Sequence, residues 1–224
     1  MSLNTTAAII CIDTETGGLD CLKHPMAQIA LQSFHLDTFK EISRFDTYIQ
    51  PYADLVYQDE ALKFNGITMS QIKSGLTIKE TVAKLCEEFT KANPTKNFRK
   101  KPILLGHNIT FDIGMIMFAF RFCKVDISKY LDCKQDAYGN EYPVYFDTMW
   151  LARAMYAADE KMTKYNLTAC SEKAGVEIVD AHSAQNDIIA TKELFVHFIS
   201  NMRKQGSSFS SSNQIAEEVK RFPI

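Results

Sequence analysis

The sequence predicts an α/β protein, with a five-stranded mixed β-sheet flanked by α-helices. Three observations lead there. An apolar run at residues 7–12 is followed by two more strand-like runs with no helical signal between them. Two further short apolar runs, at residues 102–105 and 142–146, are each followed by a stretch of helical length. Three strands in succession, then helix, strand, helix, strand and helices, imply one mixed sheet with helices packed on its faces.

Taken in order, residues 7–12 (Ala-Ala-Ile-Ile-Cys-Ile) are almost wholly apolar and are closed by Gly17-Gly18. That is the pattern of a strand buried on both faces. Residues 28–34 form the second run. Residues 42–49 alternate apolar and polar up to Pro51, as a half-exposed antiparallel strand does. Thr77-Ile78-Lys79-Glu80 has the form of a capping box, with Ile78, Val82, Leu85 and Phe89 at helical spacing behind it. Residues 102–105 read as a buried strand and residues 113–125 as a helix. Residues 142–146 read as the last strand, with Asp147 placed to cap a helix over 148–156. The final helix is expected over 183–204, with Ile188, Leu194, Phe195, Phe198 and Met202 on one side. Five serines then fall within residues 207–212, the composition of a flexible linker. The expected division is therefore a folded domain at 1–204 and a serine-rich flexible C-terminal tail at 205–224. Ile215, Val219 and Phe222 lie beyond the linker as a short segment that fits a partner.

The composition, 46% hydrophobic and 23% charged, is that of a globular protein and excludes a disordered or fibrous one. No apolar run reaches the ~18 residues of a membrane span, and Asp13 interrupts the first run before it could act as a signal sequence. The six cysteines include no C-x-x-C pair, so reduced thiols in a cytoplasmic protein are expected, and a zinc knuckle is not. With 25 basic and 27 acidic residues the net charge is −2, which argues against a broad basic footprint for nucleic acid. One basic cluster stands out, Lys96, Arg99, Lys100 and Lys101; it fits either a phosphate track or a solvated loop.

The carboxylates carry the chemistry. Asp13 and Glu15 lie two apart at the end of the first strand and so share a face. An acid-x-acid pattern arises about three times by chance in this composition, so the placement matters more than the pattern. Asp112 opens a helix after Gly106-His107-Asn108-Ile109-Thr110-Phe111, and Asp187 lies early in the last helix, five residues after His182. Acids from two strand ends and two helix starts can converge above the sheet. Like charges brought together there repel unless a cation neutralises them, and an all-oxygen set suits Mg²⁺ or Mn²⁺ and not zinc. Two such ions about 4 Å apart activate a water and stabilise the leaving oxygen in phosphodiester hydrolysis. A histidine near neutral pKa on a movable loop is the natural proton acceptor. Two bound divalent ions would also carry the net charge to about +2, so a near-neutral composition does not exclude a nucleic-acid partner. The alternative is that these acids are solvated surface groups or helix caps.

In this order the residues resemble the DEDDh family of 3′→5′ exonucleases, whose members include polymerase proofreading subunits, ribonuclease T and oligoribonuclease. Ile12-Asp13-Thr14-Glu15-Thr16-Gly17-Gly18-Leu19 is similar to its first motif, residues 106–112 to its second, and His182-x-Ala184-x-x-Asp187 to its third. Glu60-Ala61-Leu62-Lys63-Phe64-Asn65-Gly66-Ile67-Thr68 resembles its substrate loop, and Phe146-Asp147-Thr148 its last-strand signature. The histidine five residues before Asp187, with Ser183 where the sister branch has tyrosine, indicates the h branch. The resemblance implies a ribonuclease H-like fold. It implies that Asp13, Glu15 and Asp187 hold one Mg²⁺ (or Mn²⁺), that Asp13 and Asp112 hold a second, and that His182 is the general base. The backbone around Thr14 and Thr16 is then expected near the terminal 3′-hydroxyl, and Ile67, Asn108 and Phe111 near the last nucleotides. The expected reaction is removal of 5′-mononucleotides from the 3′ end of single-stranded DNA. RNA trimming of the ribonuclease T type is the alternative, because residues 61–67 and 181–184 look closer to that enzyme. A non-catalytic nucleic-acid-binding subunit is the reading from another class. A DNA polymerase subunit or a second copy of the chain are the implied protein partners.

Overall fold

The computed structural model describes residues 8–94, 97, 101–178 and 183–211. Strands β1 (Ala8–Thr16), β2 (Met26–His35) and β3 (Glu41–Tyr48) form the expected antiparallel meander. Strand β4 (Ile103–Gly106) pairs parallel with β1, and strand β7 (Tyr145–Asp147) pairs parallel with β4. The order β3-β2-β1-β4-β7 gives one five-stranded mixed sheet.

Strand parity sorts the two faces. Ile10 and Ile12 pack with Val82, Leu85 and Phe89 of helix α3 (Ile78–Ala92) and with Ile113, Ile116 and Phe120 of helix α4 (Thr110–Phe122). Their neighbours Ile9 and Cys11 point the other way, into a cluster with Ile188 and Phe195 of helix α7 (Ala184–Ser211). β1 is therefore buried on both faces, as its apolar run implies. Phe195 is wedged between Phe34 of β2 and Phe146 of β7, with ring centroids 6.2 and 5.4 Å away. These two contacts fix the rotation of α7 on the sheet and so aim everything on its first turns.

Local chemistry accounts for the helix starts. The Thr77–Glu80 capping box is present, with Thr77 Oγ1 accepting from Glu80 N–H and Glu80 Oε2 accepting from Thr77 N–H. Asp147 caps helix α5 (Thr148–Met155) by accepting the Met149 N–H at 2.9 Å. Three helices carry too little periodicity to be read from sequence: α1 (Asp59–Phe64), α2 (Met69–Ser74) and α6 (Leu167–Ala174). Each has eight residues or fewer, and so lacks a full apolar stripe.

Two expectations are corrected. Residues 142–146 are not one strand. Glu141–Pro143 forms β6 of a separate hairpin with β5 (Cys133–Gln135), and only Tyr145–Asp147 joins the main sheet. Pro143 has no N–H to continue a ladder, and Val144 is the pivot. Its N–H donates to Asp132 while its carbonyl accepts from Leu104. The last helix also runs past residue 204 to Ser211, so the first serines continue a helix; residues 212–224 lie outside the described residues. All six cysteines are free thiols, and among the described residues no helix is long and apolar enough to cross a membrane.

β4 ends in a tight turn. A Cβ on Gly106 would lie 2.7 Å from the Ile109 side chain, and Asn108 adopts the left-handed conformation (φ 61°) that asparagine tolerates better than most residues. Gly106→Ala should therefore cost about 1–3 kcal/mol by overpacking, visible as a lower midpoint in urea denaturation. An unchanged midpoint would show that the turn can relax.

Candidate active site

Strands β1, β4 and β7 run parallel to one another, so their carboxyl ends meet at one edge of the sheet. Asp13 and Glu15 close β1 on the face already occupied by Ile9 and Cys11, the face that α7 covers. Ala184 and Ile188 of α7 are fully buried on that face, and Asp187 sits between them on the first turn. One ligand oxygen each from Asp13, Glu15 and Asp187 lies within 4.8 Å of the others.

Asp112 enters from the other side, at the start of α4. Its Oδ1 accepts the Thr14 N–H at 2.8 Å and the Thr14 hydroxyl at 2.7 Å. Thr14 lies between the two strand acids and by parity faces α4, so a single strand presents acids to one helix and a double donor to the other. Among the described residues no lysine or arginine pairs with Asp13, Glu15 or Asp112.

Burial without a counter-cation pushes these acids toward the protonated form. Asp13 is held well above the usual carboxylate range, by burial first and then by Asp112, Asp187 and Glu15. Glu15 is pushed up to about 7 by burial, with Asp187 and Asp112 adding to it. Asp112 also reaches about 7, because burial outweighs the two Thr14 hydrogen bonds that favour its charge. A compact, oxygen-only, like-charged set of this kind fits a hard divalent cation, and no sulfur or imidazole among the described residues joins it.

The other expected residues divide. His182 lies outside the described residues, as do Lys96, Arg99 and Lys100; Lys101 donates from Nζ to the Ser128 carbonyl. Thr14 is buried, and both its N–H and its hydroxyl are committed to Asp112, so it positions an acid and offers no donor of its own to a 3′-hydroxyl. The Thr16 hydroxyl likewise donates to the Gly18 carbonyl. Ile67 is only 7% exposed, packed with Ala27, Leu62 and Ile72, which leaves its side chain a core role. Phe64, at 69%, is the exposed apolar group of that segment. Asn108 is exposed and Phe111 half-buried on the loop leading to Asp112.

Sequence reasoning assigned no site role to three anchors. Asn65 donates from Nδ2 to the Thr16 carbonyl at 3.1 Å, tying the 59–66 segment to the end of β1. Asp147 accepts the Asn108 N–H at 3.0 Å as well as capping α5, which fixes the β4 loop. His107 bridges Thr148 Oγ1 at 2.9 Å and the Tyr165 carbonyl at 2.8 Å. Burial lowers its pKa, and its Nε2–H donates to the Tyr165 carbonyl. None of these contacts has a sequence signal, since each joins distant segments.

Comparison with known proteins places this geometry. Residues 10–195 match the family model of RNase T-type exonucleases. A PolC-type DNA polymerase III from Caldanaerobacter subterraneus is 23% identical over 220 residues, which are 96% of this chain and 14% of that one. A ribonuclease T from Shewanella baltica is 27% identical over 204 residues, 88% of this chain and 83% of that one. The chain thus spans a small fraction of the polymerases it matches. In structure it is similar to E. coli exonuclease I solved with a dT13 oligonucleotide: TM-score 0.69, 21% identity, 91% of this chain and 43% of that one. That likeness establishes the ribonuclease H-like fold.

The raised carboxyl groups set a pH dependence. At these three carboxyls the metal-free folded state binds more protons than the unfolded chain between about pH 4 and about pH 7. Their contribution to stability is therefore greatest below that window and falls as pH rises through it. In EDTA the melting temperature should drop between about pH 5 and pH 8, and Mg²⁺ should restore it at the higher pH. Scanning calorimetry showing a rise with pH in EDTA would contradict the site's electrostatics.

Proposed function

The chain belongs to the RNase T-type exonuclease family, and on that premise we propose that it is a metal-dependent 3′→5′ exonuclease acting on single-stranded nucleic acid, DNA in preference to RNA. The observation that carries the reading is the convergence of Asp13, Glu15 and Asp187 within 4.8 Å, with Asp112 held beside them by Thr14. Asp13, Glu15 and Asp187 would hold one divalent ion, and Asp13 with Asp112 a second. Such ions, when bound, lower the pKa of the attacking water and offset the charge that develops on the transferred phosphoryl group.

The protein's own groups do the rest. Thr14 commits Asp112 Oδ1, so that Oδ2 would be the oxygen offered to a cation. His182, on the segment just before α7, takes the proton from the attacking water. The water oxygen bonds to phosphorus and the P–O3′ bond breaks. The released O3′ takes up a proton from solvent, so the shortened strand ends in a 3′-hydroxyl, and a nucleoside 5′-monophosphate leaves. The DNA preference follows the Asp13-Thr14-Glu15-Thr16-Gly17-Gly18-Leu19 motif, which resembles the proofreading enzymes. Trimming of RNA is the second reading, and it draws on the coverage of ribonuclease T, 83% of its length against 14% of the polymerase. Docking on a polymerase or pairing with a second copy follow these two readings respectively.

With a 5′-labelled single-stranded DNA oligonucleotide and Mg²⁺, the wild-type chain should produce a ladder that shortens from the 3′ end. Asp13→Ala should lower the rate at least about 10³-fold, and His182→Ala about 10²- to 10⁴-fold. Activity persisting in Asp13→Ala would refute the mechanism. A matched RNA oligonucleotide trimmed as fast as the DNA, or faster, would move the assignment to RNA.

A further inference from the structure

Beside the acids, at the same edge of the sheet, lies an aromatic-cation stack that the proposed chemistry does not use. Arg153 Cζ sits 5.3 Å from the ring centroid of Trp150 and 5.0 Å from that of Tyr165, so the guanidinium contacts both rings. Trp150 is 62% exposed, an unusual position for the largest apolar side chain. Arg153 is exposed too, and no carboxylate pairs with it among the described residues.

The stack is rigidly joined to the site. Trp150 stands in the first turn of α5, which begins where β7 ends, and Asp147 at that junction holds the Asn108 N–H of the loop leading to Asp112. Tyr165 is tied to the same loop through its carbonyl, which accepts from His107. Neighbouring strands are ~4.8 Å apart and Asp147, at the end of β7, is about level with Ile12 of β1, so the end of β7 lies about 10 Å from the Ile12–Asp13 stretch of β1, across β4. That separation suits nucleotides a step or two upstream of a 3′ terminus seated on the acids.

We propose that Trp150 and Arg153, backed by Tyr165, form a platform for the upstream part of a single-stranded substrate, Trp150 stacking a base and Arg153 contacting its phosphate. The proposal rests on the exonuclease reading of the neighbouring acids. The occupant is single-stranded nucleic acid because the two recognition elements it needs, a free π-face and an unpaired guanidinium, occur together here, and every base has a face to stack. A protein partner would satisfy the exposed ring but leaves the unpaired cation without a reason. Rigid anchoring on both sides means that the stack need not be ordered by the substrate.

Trp150 is the single tryptophan of the chain, so its fluorescence reports this position alone. The full chain is titrated with oligo(dT) of about ten nucleotides, with Ca²⁺ in place of Mg²⁺ to slow cleavage. Saturable quenching by the oligonucleotide, and none by dTMP at equal nucleotide concentration, is expected. Binding of a labelled oligonucleotide that leaves the emission unchanged overturns the platform. So does an emission change that follows protein concentration instead, which would mark a contact between copies. In Mg²⁺ kinetics, Trp150→Ala should raise KM about 10-fold, with the loss in KM and not in kcat, and the effect should shrink as the oligonucleotide shortens toward a dinucleotide. Trp150→Phe should recover most of it. Arg153→Gln should weaken binding and reduce the log–log salt slope by about 0.7. Cleavage without quenching sinks the platform and spares the exonuclease reading; quenching without cleavage does the reverse.

Discussion

The arrangement turns on one electrostatic constraint, the gathering of like-charged carboxylates at the end of a buried strand. Asp13 and Glu15 occupy positions that continue the apolar face of Ile9 and Cys11, and α7 lays Asp187 against them. Metal-free, such a group is pushed toward protonation, since burial and mutual repulsion both disfavour its charge. The set is thus poised for a cation and poorly suited to any purely structural purpose, because a folded protein gains nothing from buried acids that it must neutralise with protons.

The scaffold exists to hold that strained set in place. Phe195 locks α7 to β2 and β7, so the acid on its first turns cannot drift away from β1. Thr14 holds Asp112 with two donors across the strand. His107, Asp147 and Asn65 pin the surrounding loops to the carboxyl ends of β4, β7 and β1. Parallel strands place these anchors side by side at one edge of the sheet, which is where open α/β sheets bind ligands. The Trp150–Arg153–Tyr165 stack stands on the same rim.

The near-neutral charge takes on a different meaning with this geometry. A long basic track is unnecessary when the attraction for phosphate is concentrated in metal ions at one point. On the proposed function, grip on the rest of the strand would then fall to a few local contacts, such as the aromatic-cation pair of Trp150 and Arg153.

Much of this was legible in the sequence, and the boundary between what was legible and what was not has a physical cause. The four early strands, the Thr77 capping box, the Asp147 cap and the acids were readable because each depends on local periodicity or on a short pattern. The last strand was misplaced because the break at Val144 is decided by pairing with Asp132 and Leu104, far away in the chain. Ile67 was read as a base contact, yet it is buried, since only packing against Ala27 and Ile72 determines which apolar side chain of that segment turns inward. The sequence by itself determined the strand and helix types and which residues carry negative charge, because hydrophobic spacing and side-chain chemistry are properties of neighbours along the chain. Tertiary structure decided that Asp13, Glu15 and Asp187 meet within 4.8 Å, that Thr14 serves Asp112, and that Trp150 stays exposed against Arg153. Those are distances between segments, set by how sheet and helices pack, and no local pattern encodes them.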